Sequence, residues 1–155
     1  MKTLIVYFSR SGVTKKVAEK ISANLGADLE EITEKKNRKG IFGFLKSGME
    51  AYRERLVTID QPKHDASQYD LVVIGTPVWA GKMSSPVRSY IANNKDKLKS
   101  VAFFATLGGE DAQNTLAGLG KYAGKEPLSS VSIRAEEVEK GTYVSKVEDL
   151  LIKLK

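Results

Sequence analysis

The sequence predicts an α/β protein in which a parallel β-sheet carries helices on both faces. Short apolar runs of strand length alternate five times with segments whose apolar residues recur at helical spacing. The strand runs are apolar throughout, which is typical of strands buried on both faces. The chain has 155 residues, enough for a sizeable core, and we expect a single domain over residues 1–155.

The first strand, helix and strand have a clear pattern. Residues 4–8 are continuously apolar and predict a buried strand, and residues 28–33 predict a second strand. Gly26 is placed to end the helix between them, because glycine readily adopts the left-handed conformation of helix ends. The apolar residues of this helix lie four apart, at Val13, Val17, Ile21 and Leu25.

Residues 41–55 predict a helix within the most basic part of the chain, residues 35–55. Its apolar residues recur at spacings of three and four, at Phe42, Leu45, Met49 and Tyr52. The net charge is +6. We interpret the basic run as a solvated face whose lysine and arginine stems cover apolar surface. A nucleic-acid surface is the alternative, but no nucleic-acid-binding motif accompanies the charge, so we expect no nucleic-acid partner.

Strands and helices continue to alternate to the end of the sequence. Ser85 is predicted as the N-cap of the next helix, with Pro86 at its first position. A further helix is predicted over residues 111–122. The last helix has one apolar face, made of Val144, Val147, Leu151 and Leu154 with Leu150 beside it. The strands are predicted at residues 71–75, 101–106 and 128–135.

The lack of cysteine and the single histidine exclude several kinds of reactive and metal-binding site. The chain has no cysteine, which excludes disulfides, cysteine nucleophiles and thiolate-held iron–sulfur clusters. Redox chemistry would therefore need an organic cofactor. His64 is the single histidine and lies in a polar stretch, which predicts an exposed loop residue and excludes a multi-histidine metal site.

The apolar run near the N-terminus is the other feature that bears on location. Residues 4–8 are too few for a signal-peptide core or a membrane span, and Arg10 follows them closely. We therefore expect a cytoplasmic protein that does not insert into a membrane.

Three loops that follow strands are the expected places for function. In sheets of this class, ligands bind beyond the carboxyl ends of the strands, where the strand order reverses. With the order 2-1-3-4-5, the first, third and fourth strands are neighbours. The loops after these strands have the sequences SRSGVT, GTPVWAGKMSSP and TLGGED.

The first loop, residues 9–14, has the features of an anion site. Three hydroxyl side chains surround Gly12 where a helix begins, and a helix N-terminus attracts negative charge. One glycine is too few for the dinucleotide fingerprint, so a terminal monophosphate fits better. The alternative is that the serines and the threonine only cap the helix.

The other two loops suggest a flat ligand. Trp79 is the only tryptophan and lies between Pro77 and Gly81, where it can offer a flat face to a ring. The alternative is that it packs onto the edge of the sheet. Paired glycines in residues 106–111 allow a ligand to approach the backbone closely, although a simple turn would also need them. Together the three loops would hold a planar heterocycle with a monophosphate tail.

These loops resemble those of the flavodoxin family. SRSGVT is similar to its phosphate loop, and GTPVWAG and TLGG are similar to its two ring-binding loops. The resemblance implies a flavodoxin-like three-layer α/β/α sandwich with a five-stranded parallel sheet of order 2-1-3-4-5. The short passage from the last strand to the last helix resembles the short-chain form. The cofactor implied is FMN, bound non-covalently.

The resemblance also implies which residues bind the cofactor. The phosphate would contact the first loop, at Ser9, Arg10, Ser11, Gly12, Val13 and Thr14. The ring would lie between two further sets, Thr76, Pro77, Val78, Trp79, Ala80 and Gly81 on one side and Thr106, Leu107, Gly108 and Gly109 on the other. No catalytic side chain and no metal ligand are expected.

Three classes of function remain open from the sequence. The first is an electron carrier that passes electrons between redox partner proteins, for which the basic net charge suggests acidic partners. The second is an FMN-dependent oxidoreductase that takes NAD(P)H and reduces a quinone or a flavin. The third is a binding module that uses the anion loop without redox chemistry.

Overall fold

A computed structural model of the chain describes residues 1–109 and 112–155. Glu110 and Asp111 end the third predicted loop, and Asp111 begins the predicted helix 111–122. Both lie outside the described residues.

The central sheet confirms the predicted fold class. Five parallel strands have the predicted order 2-1-3-4-5 when they are numbered among themselves. They are β1 Thr3–Tyr7, β2 Asp28–Glu31, β3 Leu71–Trp79, β5 Ser100–Leu107 and β6 Ser130–Arg134. A two-residue strand that the sequence did not predict, β4 Lys82–Met83, pairs antiparallel with the end of β3.

The additional strand shows that the second loop is largely a β-hairpin. β3 runs four residues beyond the predicted 71–75, and Trp79 pairs with Lys82 across a two-residue turn. Both turn residues, Ala80 and Gly81, have positive φ, at 50° and 75°. Such a turn matches the twist of the strands that it joins. We call this element the 79–82 hairpin.

Helices lie on both faces of the sheet. Their bounds are α1 Val13–Leu25, α2 Gly40–Tyr52, α3 Ser85–Asn94, α4 Gln113–Ala123, α5 Ala135–Lys140 and α6 Tyr143–Leu154. Short 3-10 helices cover Ala66–Gln68 and Lys95–Lys97. None of the helices within the described residues is long and apolar enough to cross a membrane.

The ends of the helices agree with the predictions in one case and correct them in another. α1 is followed by Gly26 in the left-handed conformation, with φ 59°, as predicted. The N-cap of α3 is Ser84, not Ser85, because the Ser84 hydroxyl accepts a hydrogen bond from the backbone N–H of Val87 at 3.4 Å. Pro86 is therefore the second residue of the helix instead of the first.

Buried apolar side chains form two clusters, one on each face of the sheet. Leu4 and Val6 belong to the cluster under α3 and α4, while Ile5 between them belongs to the cluster under α1 and α6. Successive side chains of a strand point to opposite faces. The continuous apolar runs are therefore the strands that are covered on both sides.

Helix α2 departs from this pattern. Its buried residues are Ser47, Glu50 and Ala51, and Phe42 on the predicted apolar face is 85% exposed. The helix itself is confirmed, but the expectation that lysine and arginine stems cover its apolar face is wrong. We call the exposed apolar side chains the α2 patch, and they are Ile41, Phe42, Phe44, Leu45, Met49 and Tyr52.

His64 also differs from its prediction. It lies in a loop as expected, but its side chain is only partly exposed. Its Nδ1 is 2.9 Å from Oε1 of Glu30, and its backbone N–H donates to the same oxygen at 2.7 Å. His64 therefore fastens its loop to β2.

Candidate functional site

The three loops converge at one edge of the sheet. Strand β3 pairs in parallel with β1 on one side and with β5 on the other, so the carboxyl ends of these strands are adjacent. A cavity of about 280 Å³ lies there, and we call it the loop cavity. The predicted site residues that line it are Arg10, Ser11, Val13, Thr14, Pro77, Val78, Trp79, Ala80, Thr106, Leu107 and Gly108.

The remaining predicted residues lie behind or beside the loop cavity. Ser9 and Gly12 shape the first loop, and Thr76 lies under the second. Gly81 belongs to the turn of the hairpin, and Gly109 is the last described residue of the third loop. Sequence reasoning missed four lining residues, Phe44, Ser47, Gly48 and Ala135. Three of these belong to α2, and no motif within that helix marked it as a wall of the site.

The first loop is braced by one of its own hydroxyls. The Ser9 hydroxyl accepts hydrogen bonds from the backbone N–H groups of Gly12 at 3.0 Å and of Lys15 at 3.3 Å. Gly12 is the N-cap of α1, with φ 100°, and it cannot cap the helix with a side chain. Ser9 thus takes the capping role from outside the helix, while Ser11 lines the loop cavity.

A buried hydroxyl pair joins the first loop to the third. The hydroxyls of Thr14 and Thr106 are 2.7 Å apart, and both side chains are buried. A hydroxyl has one donor and two acceptor positions, so this bond does not exhaust either group. The pair fixes the spacing between the two loops at the floor of the loop cavity.

Two hydrogen bonds hold the hairpin, one at its base and one at its turn. The buried Thr76 hydroxyl accepts from the backbone N–H of Ser84 at 2.9 Å, which ties β3 to the start of α3. The Thr115 hydroxyl donates to the carbonyl of Gly81 at 2.9 Å, which ties the turn to α4. The hairpin is therefore held at both ends.

Arg10 connects the first loop to the N-terminal end of α2. Its Nε donates to the carbonyl of Arg38 at 2.9 Å, and its Nη2 donates to the carbonyl of Gly40 at 3.1 Å. The guanidinium carbon also lies 5.6 Å from the ring centre of Phe44. Arg10 thus links the predicted phosphate loop to α2, which lines one side of the loop cavity.

A buried arginine holds the segment before α2 against the site. The Arg38 guanidinium donates to the carboxylate of Glu34, to Glu50 at 2.7 Å and to the Ser47 hydroxyl at 3.0 Å. Burial alone would raise the pKa of Glu50, but the hydrogen bond and charge of Arg38, helped by Lys36, lower it from its ordinary value. Sequence reasoning did not single out Arg38, because it stood within a run of basic residues.

Trp79 was predicted either to offer a flat face to a ligand or to pack onto the edge of the sheet, and its position is compatible with both. Its side chain is 9% exposed and packs edge to face against Phe8, with ring centres 5.5 Å apart. The Arg38 guanidinium lies over its ring at 5.1 Å. Trp79 also lines the loop cavity. The ring is thus packed onto the end of the sheet and borders the cavity as well.

The lining of the loop cavity is suited to binding. Among the described residues, Arg10 is the one ionisable side chain that lines it, together with hydroxyls, apolar side chains and backbone. Such a set offers hydrogen bonds and one positive charge to an anion. It offers no carboxylate or imidazole for acid–base chemistry.

Comparisons with known proteins bear on the family of the chain. A family model described as Flavodoxin matches residues 2–130. No curated protein sequence matches the chain.

Three solved structures illustrate the likeness. The chain is similar to a flavoprotein in complex with FMN from Lactobacillus acidophilus NCFM, with 27% identity and a TM-score of 0.72 over 90% of this chain and 97% of that one. The apo-form of the flavoprotein from the same organism gives 27% identity and a TM-score of 0.63, covering 90% and 95%. Two-electron reduced Megasphaera elsdenii flavodoxin shares the fold, with 19% identity and a TM-score of 0.57 over 86% of each chain.

Proposed function

The chain belongs to the flavodoxin family, and on that premise we propose that it binds FMN in the loop cavity and transfers electrons between partner proteins. The observation that carries the proposal is the convergence of all three loops on one cavity, which Ser11, Trp79 and Gly108 line from one loop each. The similar flavoprotein from L. acidophilus in complex with FMN supports the choice of cofactor.

The donor set fits a phosphate at one end of the loop cavity. The first turn of a helix has N–H groups without partners inside the helix, and the Ser11 hydroxyl and Arg10 lie beside the first turn of α1. A phosphate dianion would accept hydrogen bonds from these groups and would gain from the positive end of the helix dipole. Among the described lining residues there is no carboxylate to repel it.

The ring would need more room than the loop cavity offers. Its volume of about 280 Å³ lies just below the usual range for ligand sites, about 300–1,000 Å³. Phe44 lines the cavity from the mostly exposed helix α2. We therefore expect Phe44 to move outward when the cofactor binds, while the hydrogen bonds of Thr76 and Gly81 keep the hairpin in place.

The residues of the chain would position the cofactor and set its energy. FMN, when bound, supplies one- and two-electron redox chemistry. Backbone groups of residues 77–81 would hydrogen-bond to the ring, and Trp79 would keep water from one side of it. In this function no side chain needs to act as an acid or a base.

Purified protein tests the cofactor directly. We expect a yellow protein or, if FMN has been lost, a saturable change in the flavin absorbance spectrum when FMN is titrated. Chemical reduction and reoxidation should be reversible. Failure to bind FMN would contradict the proposal and favour a binding module without redox chemistry.

The alternative function is an FMN-dependent oxidoreductase that takes NAD(P)H and reduces a quinone or a flavin. Four basic side chains around a second cavity beside the 79–82 hairpin favour it, because they could attract an anionic dinucleotide. Steady-state oxidation of NAD(P)H with a quinone acceptor separates the two functions. Turnover well above the rate with free FMN would identify the enzyme.

Trp79 should report on FMN binding. Because it is the only tryptophan and lines the loop cavity, we expect FMN to quench its fluorescence strongly, and removal of FMN to restore it. Trp79→Ala should weaken FMN binding by about tenfold or more, since stacking contributes about 0.5–1.5 kcal/mol beyond the lost apolar area. It should also shift the potentials of the flavin.

Trp79→Phe is the matched control, since it keeps an aromatic ring beside the cavity. We expect it to retain most of the affinity that Trp79→Ala loses. Unchanged emission on removal of FMN, together with unchanged affinity in Trp79→Ala, would place Trp79 away from the flavin.

The α2 patch supports the choice of a protein partner. Phe44, Ser47 and Gly48 of α2 also line the loop cavity, so a protein docked on this helix would lie beside the cofactor. Exposed basic residues lie within and on both sides of α2 along the chain, among them Lys35, Lys39, Lys46, Arg53 and Arg55. An apolar centre with a charged rim is typical of docking surfaces, and this rim would attract a partner whose own rim is acidic.

Two redox proteins of opposite charge test this docking surface. We expect added salt to slow the reduction of the oxidised protein by an acidic [2Fe–2S] ferredoxin, and to speed electron transfer from the reduced protein to basic cytochrome c. The double variant Lys46→Glu/Arg53→Glu should weaken both salt effects, whereas Lys153→Glu/Lys155→Glu, the same change in charge at the end of α6, should alter them little. Equal effects of the two charge changes would mean that net charge, not the α2 patch, steers the partner.

A further inference from the structure

A second cavity, of about 450 Å³, shares the 79–82 hairpin with the loop cavity. We call it the basic cavity. The hairpin contributes Gly81 and Lys82 to its wall, and α4 contributes Thr115 and Tyr122. None of its basic side chains belongs to the phosphate loop or to the predicted ring-binding loops.

The charges that line the basic cavity are strongly unbalanced. Glu54 is the one carboxylate among its described lining residues, and it pairs with Lys82 at 2.7 Å. The hydrogen bond and charge of Lys82 lower the pKa of Glu54, and the charges of Arg88 and Lys121 add to this effect. The four basic lining residues are Lys82, Arg88, Lys95 and Lys121.

Arg88 is the strongest indication that the basic cavity binds a ligand. Its side chain is 6% exposed, and the part of the chain that the structure describes contains no ion pair and no hydrogen-bond acceptor for its Nε. The guanidinium lies 5.0 Å from the ring centre of Tyr122, which supports it from one side. A buried cation without a partner is costly, and a buried donor is nearly always satisfied in native proteins.

We propose that the basic cavity binds a phosphate-bearing small molecule through the guanidinium of Arg88 and the ammonium groups of Lys95 and Lys121. The volume lies within the range usual for small-molecule sites. A forked guanidinium matches two phosphate oxygens, and several cations match a dianion better than a single carboxylate. This site is separate from the FMN site and does not depend on it.

The site has a direct connection to the 79–82 hairpin. The Thr115 hydroxyl, which lines the basic cavity, donates to the carbonyl of Gly81 in the turn. Lys82 lies next to that turn and lines the same cavity. A phosphate bound here would therefore contact the back of the element whose Trp79 and Ala80 line the loop cavity.

Calorimetric titration of the full chain with inorganic pyrophosphate and with ADP tests the proposal, at low salt and with saturating FMN present to occupy the loop cavity. We expect one binding site per chain. Lys95→Gln/Lys121→Gln should weaken binding by tenfold or more, and Arg88→Gln should abolish it. Lys153→Gln/Lys155→Gln, a matched loss of two charges at the end of α6 on the opposite side of the sheet, should leave binding unchanged.

The remaining outcomes either identify the source of the phosphate or overturn the proposal. Tighter binding of ADP than of pyrophosphate identifies a nucleotide as the source of the phosphate, and equal binding identifies the phosphate groups alone. No binding in the presence of saturating FMN, or equal losses in Lys153→Gln/Lys155→Gln, would overturn the proposal. Binding of a polyglutamate peptide without binding of pyrophosphate would overturn it too, in favour of an acidic protein. If Arg88→Gln fails to fold, the exposed double lysine variant still decides.

Discussion

Replacing Arg38 with leucine is expected to lower the free energy of unfolding by about 3–5 kcal/mol, because it leaves buried carboxylates without their cation. Glu34 and Glu50 both accept hydrogen bonds from this one guanidinium and are nearly fully buried. Urea denaturation followed by circular dichroism measures the loss. Arg53→Leu, at an exposed arginine that follows α2, is the matched control and should change stability by less than about 0.5 kcal/mol.

The pH dependence of this loss distinguishes charge from packing. Since the pKa of Glu50 in the folded state is lowered from 4.5, its contribution is complete above the ordinary carboxyl range and disappears as the pH falls through the folded-state value. The difference in stability between the parent and Arg38→Leu should therefore shrink as the pH falls through and below the ordinary carboxyl range. A difference that stays constant over this range would mean that Arg38 acts through packing alone.

Ser11→Ala combined with Thr14→Ala is expected to weaken FMN binding by about one to three orders of magnitude, and riboflavin binding hardly at all. Each hydroxyl should contribute about 1 kcal/mol, and more when it bonds to a charged phosphate. The expected losses in free energy convert to this range of affinity. Fluorescence titration with both flavins measures the two affinities.

The structure refines this expectation for the single variants. The Thr14 hydroxyl already bonds to Thr106, whereas Ser11 lines the loop cavity. Ser11→Ala should therefore produce most of the loss that is specific to the phosphate, and Thr14→Ala a smaller part of it. Ser145→Ala, at an exposed serine of α6, should have no effect. Equal losses for FMN and riboflavin in the double variant would contradict the assignment of the phosphate loop.

The layers of the fold could be predicted because a strand that is buried on both faces appears in the sequence as a continuous apolar run. Residues 4–8 and 71–75 are apolar throughout, and α1 has one apolar residue per turn. The hairpin could not be predicted from the sequence, because the usual turn signal is Asn-Gly or Asp-Gly and this chain has Ala80-Gly81. Helical spacing indicates an apolar face but does not say whether that face points inward, and α2 is the case where it does not.

The site could be predicted in part for similar reasons. Loops that follow parallel strands must meet, so Ser11, Trp79 and Gly108 were expected at one edge of the sheet, and the structure brings them to one cavity. The role of Arg38 depends on how the chain folds between β2 and α2, which brings Glu34, Glu50 and Trp79 around it. No spacing in a linear sequence encodes that arrangement.

The sparse anchoring of α2 has a consequence for the native ensemble. Ala51 is its one buried apolar side chain within the described residues, and polar contacts such as those of Arg38 with Glu50 and Ser47 attach the helix further. Detaching this helix exposes little new apolar area, so it should cost far less than global unfolding and form a separate cooperative unit. We expect its amide hydrogens to exchange as a group ahead of those of β3. Because the same helix walls the loop cavity, the association rate of the cofactor would follow this local opening rather than diffusion.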